Sequence, residues 1–242
     1  MSNAIAVVAD TGFGKSTSIG NIPELGIEGL KPEETFIISV KGKPLPFRGW
    51  RKQYIPVNLE NDKPPAEGNY LATTHAETIV RVLNYISLNR KDIKNVVLDD
   101  FQYIMSEEFM AKALKSGFDK FNKLAKNAYD VLNAGIKMRE DINFIVLTHS
   151  DTKETSFETT YKMKTIGNML DNKVTLEGLF TVLLYMKQKW NDKDKKVEKY
   201  FVTNFDGQYP AKTPVGMFKD IYILNDLGRV IEDVHAYYHG TN

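Results

Sequence analysis

Short apolar runs recur along the chain at residues 4–9 (AIAVVA), 35–40 (TFIISV), 95–99 (NVVLD) and 142–148 (INFIVLT). Each is closed by polar or turn-forming residues, the pattern of a strand covered on both faces, where alternation fades because neither side meets water. Between them the period becomes helical. Thr74–Asn89 sets Ile79, Val82, Leu83 and Ile86 on one side, and Ser106–Gly135 does the same with Phe109, Phe118, Phe121, Leu124, Ala128 and Leu132. Strand and helix in alternation predict an α/β fold: a mainly parallel sheet flanked by helices.

The last third changes character. Residues 179–188 (LFTVLLYMKQ) and 197–204 (VEKYFVTN) flank the polar turn Asn191-Asp192-Lys193-Asp194, which predicts a C-terminal antiparallel hairpin added to the sheet. A final helix is expected from about Asp226 to Tyr238. The Pro- and Gly-bearing stretch from Lys41 to Gly68 is too irregular for regular structure and too aromatic for a plain linker, so it reads as a loop packed on the fold.

Bulk composition narrows this picture only a little. A chain of 242 residues, 42% hydrophobic, suits one α/β domain spanning 1–242. Lys+Arg 32 against Asp+Glu 31 leaves a formal charge of +1, so contact with nucleic acid would need a local patch. Cysteine is absent, which excludes disulfides and thiolate metal sites. No basic segment followed by a long apolar one opens the sequence, and no run of about 18 apolar residues occurs; a soluble, cytoplasmic protein is expected.

The first apolar run leads directly into Ala9-Asp10-Thr11-Gly12-Phe13-Gly14-Lys15-Ser16, a phosphate-binding loop (P-loop) pattern with Ala in the leading glycine position. Glycines at 12 and 14 allow a bend whose amides converge on a phosphate, and a helix expected to start near Lys15 would add its positive end. Residues Asp10 through Thr17 are therefore the expected nucleotide-binding segment, with Lys15 on the outer phosphates and the Ser16 hydroxyl on Mg²⁺. The ligands implied are a nucleoside triphosphate and Mg²⁺.

A nucleotide site also needs a carboxylate near the metal. Val96-Val97-Leu98-Asp99-Asp100 ends a buried strand in two of them: Asp99 is the expected metal acid, and Asp100 is placed to polarise an attacking water. Glu60, in the irregular loop, is a second candidate base. The next strand ends in Leu147-Thr148-His149-Ser150, and carboxyl ends of parallel strands share one crevice, so Thr148 and His149 are candidates for sensing the γ-phosphate. His75, His235 and His239 have no metal-ligand spacing.

These residues resemble the RecA-like P-loop ATPases encoded by bacteriophages, which act in DNA recombination and single-strand annealing. The resemblance lies in ADTGFGKST, the KGKPLPFRGW loop, VVLDDFQYI, VLTHS, KTIGNMLDNKVTLEGLFTVLLY and TNFDGQYPAKTPVGMF with its following NDL, across most of residues 4–227. It implies a RecA-like core that binds ATP, assembles with copies of itself, and works with single-stranded DNA or a single-strand-binding protein. It also implies a role for Lys212, in Ala211-Lys212-Thr213-Pro214, as a cation reaching a neighbouring subunit's γ-phosphate. One departure stands out. Such recombinases often carry a glutamate base after their second core strand, where this chain has Val40-Lys41-Gly42-Lys43.

Basic residues suggest where DNA would run: Lys112, Lys115, Lys120, Lys123, Lys126, Lys137 and Arg139 along the central helix, and Lys187, Lys189, Lys193, Lys195 and Lys196 around Trp190 on the hairpin. The same lysines also fit solvated faces that keep edges soluble. An alternative to an ATPase is a nucleotide-gated binding module for a replication or packaging partner. A small-molecule kinase fits less well, because the arginines do not cluster as a lid.

Overall fold

A computed structural model describes residues 1–57, 59, 67–114, 119–154, 159–166 and 174–240, with the side chains of 119, 120 and 153 not described. The strands are β1 (Asn3–Val8), β2 (Thr35–Ser39), β3 (Tyr70–Ala72), β4 (Asn95–Asp99), β5 (Asn143–Thr148), β6 (Ser150–Glu154), β7 (Thr159–Met163), β8 (Val182–Asn191), β9 (Lys196–Val202) and β10 (Tyr222–Leu224). The helices are α1 (Trp50–Gln53), α2 (Ala76–Asn89), α3 (Gln102–Ala111), α4 (Asp119–Ile136) and α5 (Leu227–His239).

An eight-stranded sheet runs β10-β9-β8-β1-β5-β4-β2-β3, and β6 pairs with β7 as a separate ribbon. The strands from β8 to β3 are parallel, whereas β9 and β10 add to the β8 edge antiparallel. This is the expected architecture, a mainly parallel sheet flanked by helices with a C-terminal antiparallel hairpin.

Alternate residues of the central strands go to opposite faces, and both faces are dry. Ala6, Val8, Val96, Leu98, Phe144 and Val146 pack under α2, α3 and α4, whereas Ile5, Val7, Val97, Ile145 and Leu147 pack under α5 and the chain around Phe47 and Tyr54. Burial on both faces explains why the strands read as unbroken apolar runs. A polar row fixes the register at their amino ends: Asn3 donates to Asn143 at 3.0 Å, and Asn143 donates to Asn95 at 2.8 Å.

The helix expected over Ser106–Gly135 is instead α3 and α4. The chain between them carries Gly117, a poor helix former, and Phe109 of α3 meets Phe121 of α4 with ring centroids 5.8 Å apart. The helix expected after Lys15 is a single 3-10 turn, Ser16–Ile19. It stops at Gly20, where a Cβ would lie 2.4 Å from the Phe47 ring, and Pro23 follows to start another short turn. The helix dipole expected at this site is therefore reduced to one turn.

Candidate nucleotide site

β5 separates β1 from β4, so the carboxyl ends of β1 and β4 stand about 10 Å apart at the usual strand spacing. The loop that follows β1 closes this distance. Gly12 (φ +84°) and Gly14 (φ +99°) take backbone conformations that L side chains rarely adopt, and the bend they make brings Ser16 over the end of β5. There the Ser16 hydroxyl donates to Asp99, with both carboxylate oxygens 3.0 Å away. The residues expected to share a metal ion are thus adjacent, although 83 positions apart in sequence.

Lys15 is buried and folds back so that its ammonium donates to the carbonyls of Ala9 at 2.8 Å and Asp10 at 3.0 Å. Burial pushes it down to about 8, against the pull of Asp100, Asp99 and Asp10. Burial likewise drives Asp99 up to about 6, helped by the charge of Asp100 and opposed by the Ser16 hydroxyl and Lys15. A half-buried serine hydroxyl beside a buried carboxylate is a hard-oxygen pair of the kind Mg²⁺ takes, so the donor set fits the ion.

Asp100 adopts φ +66°. Its carboxylate accepts from Lys43 Nζ at 2.8 Å and faces His149 Nε2 at 3.4 Å. Burial works to raise this acid, but the hydrogen bonds from His149 and Lys43 outweigh it and hold Asp100 down at about 2. Lys43 is correspondingly raised, its bond to Asp100 outweighing the opposing effect of burial. On the other side of the imidazole, His149 Nδ1 lies 3.3 Å from the Thr11 hydroxyl. Gln102 fixes the end of β5 from below, its Oε1 accepting from the Thr148 hydroxyl at 3.3 Å and the His149 amide at 3.2 Å.

Asp10 accepts a hydrogen bond from the Ser150 hydroxyl. Phe13 packs partly buried against the core on the α5 side, and Thr17 lies within the 3-10 turn. The segment Asp10–Thr17, together with Asp99, Asp100 and His149, therefore gathers at one end of the sheet. Lys212 does not join this group through any hydrogen bond or ion pair among the described residues. Its backbone pairs with Leu183 at 2.8 and 3.0 Å, near the start of β8, and its side chain is exposed. Glu60 lies outside the described residues.

Sequence reasoning missed Lys43, Gln102, Gln188, Lys199 and Asn225. Gln188 and Lys199 donate to the Gly12 carbonyl, and Asn225 to that of Gly14. Only Lys43 carried a signal, as a cation one turn beyond β2. Much of the expected basic patch is internally offset: Lys112 pairs with Glu108, Lys126 with Asp130, Arg139 with Asp141, Lys187 with Asp206 and Lys196 with Asp194. Lys115 lies outside the described residues, as does the side chain of Lys120. Trp190 is exposed on the hairpin, its indole N–H donating to Asp192 at 3.0 Å. A cleft of about 950 Å³ lined by Asn3, Asn95, Asn143 and His239 lies at the opposite, amino end of the strands. Among the described residues no group of three or more His, Cys, Asp or Glu could hold a metal ion, and no helix is long and apolar enough to cross a membrane.

No protein-family profile matches the chain, and no curated protein does. Among solved structures, a KaiC-like protein from the hyperthermophilic archaeon Pyrococcus horikoshii OT3 aligns with a TM-score of 0.45 and 10% identity, over 83% of this chain and 78% of that one.

Proposed function

We propose that this protein is an ATP- and Mg²⁺-dependent P-loop ATPase with a RecA-like core, acting in phage DNA recombination or single-strand annealing in the host cytoplasm. The observation that carries the nucleotide reading is the meeting of Ser16 and Asp99, which joins a glycine-bent loop to the acid-ended strand across an intervening β5. A strand ending in a merely solvated acid would not bury that acid against the loop hydroxyl.

In this reading the loop amides from Asp10 to Thr17 hold the phosphates, and Lys15 leaves the Ala9 and Asp10 carbonyls to neutralise the outer ones. Ser16 and Asp99 would hold Mg²⁺, which would supply charge neutralisation at the phosphates. Asp100 accepts hydrogen bonds from a water on the γ-phosphate side, and His149, between Asp100 and Thr11, orients that acid and registers the phosphate. Lys212, exposed on its edge, is the cation offered to a neighbouring subunit, which makes a self-assembled form the active one. Exposed Trp190 with Lys189, Lys193 and Lys195 is the proposed contact for single-stranded DNA.

Lys15→Ala is expected to abolish phosphate release while retaining the fold, as judged by circular dichroism; unchanged turnover would remove the assignment. Retention of labelled single strands at low salt, with and without ATP and a single-strand-binding protein, tests the DNA role, and no retention in any arm defeats it. A second reading, a nucleotide-gated binding module with little hydrolysis, is favoured by one observation: the segment after β2, Val40-Lys41-Gly42-Lys43, offers no glutamate, and its Lys43 occupies Asp100. Nucleotide binding without steady-state phosphate release would select it.

A further inference from the structure

Lys43 is held in place by more elements than a surface lysine needs. The chain leaves β2 with the Val40 amide donating to the Asp99 carbonyl at 3.0 Å, then reverses at Gly42 (φ +64°), whose amide donates to Ser39 at 3.3 Å. The Lys43 carbonyl accepts from the Tyr70 hydroxyl at 3.4 Å. Its ammonium lies 2.8 Å from Asp100 Oδ2 and 4.9 Å from the centroid of the Tyr103 ring. Lys41 covers the same ring at 5.3 Å while paired with Glu107, so its charge is already engaged.

The geometry is asymmetric. The Asp100 side chain is 12% exposed and that of Lys43 55%, so the lysine covers the acid from the solvent side. From there the contacts run without a gap, from Lys43 to Asp100, from Asp100 to His149, and from His149 to the exposed Thr11 in the P-loop. Lys43 is thus one end of a polar chain whose other end is the phosphate-binding bend. A lysine on a four-carbon stem can exchange partners by rotamer changes alone, and its point charge suits a phosphate as well as a carboxylate.

We propose that Lys43 is an ATP-specific sensor in this chain's own site: it pairs with Asp100 when no triphosphate is bound and transfers to the γ-phosphate when ATP is bound, freeing Asp100 to face water. The inference rests on the nucleotide reading above. A ligand shifts such an equilibrium only through differential affinity for the two states, and ATP and ADP differ here by the charged group within reach of Lys43. ADP therefore leaves Lys43 on Asp100. Lys43 acts here as a cation that discriminates between nucleotides, not as a base.

The test is the ratio of ATP to ADP affinity, measured by competition against a fluorescent nucleotide with Mg²⁺ present. Lys43→Met keeps most of the stem and removes the charge. It is expected to weaken ATP binding on the order of 10-fold or more, the size of a lost hydrogen bond to a charged group, and to leave ADP binding within about twofold. Lys43→Arg is expected to keep most of the preference. Asp100→Asn removes the competing charge and is expected to tighten ATP a few-fold with ADP unchanged. A Lys43→Met protein that binds both nucleotides in the wild-type ratio, or that weakens both equally, overturns the sensor while leaving the P-loop reading intact. Wild-type protein that binds neither nucleotide overturns both.

Discussion

The ammonium of Lys199 donates to the carbonyl of Gly12 at 2.9 Å, and Gln188, directly opposite Lys199 in the β8–β9 register, donates to the same oxygen at 3.2 Å. One cross-strand pair of the hairpin thereby grips the tip of the P-loop. Because a peptide's C=O and N–H point opposite ways, holding the Gly12 carbonyl toward the hairpin turns the Phe13 amide away from it. Asn225 does the same to the Gly14 carbonyl at 3.0 Å. The hairpin, added to the sheet edge, is therefore also a brace for the loop.

Lys199→Ala is expected to loosen that brace without loosening the fold, since the bond it removes lies at the surface. Loss of one such bond is worth about 0.5–1.5 kcal/mol, or roughly 2- to 13-fold in nucleotide affinity. Titration with a fluorescent nucleotide measures the fall, and a melting curve close to wild type separates it from unfolding. Unaltered affinity would show that the loop holds its shape unaided.

Asp226 explains why Asn225-Asp226-Leu227 stands where it does. Its carboxylate is fully buried and accepts from the amides of Glu28 at 2.7 Å, Gly29 at 2.9 Å and Gly228 at 2.9 Å. It caps α5 and ties that helix to the chain beyond the P-loop turn. Asp226→Ala leaves those amides without their acceptor and is expected to cost about 2–4 kcal/mol, a lost cap plus unsatisfied buried donors. Asp226→Asn keeps one acceptor oxygen and should cost less. Urea unfolding midpoints, read at constant slope, give the comparison.

The sheet was legible because β1, β2, β4 and β5 are buried on both faces and so announce themselves as apolar runs, each within a residue or two of its observed bounds. β3 and β10 were not, since edge pieces such as Tyr70–Ala72 and Tyr222–Leu224 are too short to carry a period. The P-loop and the acids after β4 could be read because their chemistry constrains local sequence. Gln102, Lys199 and Asn225 could not, because they reach the site through long-range pairing that no local pattern encodes. The break between α3 and α4 was hidden by an apolar period that runs on through Gly117.

Asp206 gives a pH dependence of stability away from the nucleotide site. Its side chain is buried and accepts from the amides of Gln208 at 3.0 Å and Tyr209 at 2.9 Å, and from Lys187 and the Tyr222 hydroxyl at 3.0 Å each. Burial opposes the charge, yet these donors hold the acid down at about 2. A carboxyl depressed in the folded state contributes stability above its unfolded value near 4, and that contribution is lost as pH falls toward about 2. The stability gap between wild type and Asp206→Asn should therefore be constant from neutral pH to about 4 and shrink below it. Unfolding in urea at stepped pH measures that gap, and one that stays level down to pH 2 would contradict the assignment.

Lys15 offers a second titration, in binding rather than folding. Burial sets it at about 8 in the free protein, whereas a phosphate partner favours the charged form. Below about 8 the cation is already present; above it, binding must first take up a proton, so ATP affinity should fall with rising pH, by up to about 10-fold per unit. Lys15→Arg keeps its charge throughout this range, so whatever affinity that variant retains should not change with pH. Calorimetry at pH 9 in buffers of different ionisation enthalpy should register the proton uptake directly for the wild type and not for Lys15→Arg. A wild-type affinity that holds steady from pH 7 to 9.5 would mean that Lys15 never meets the phosphates.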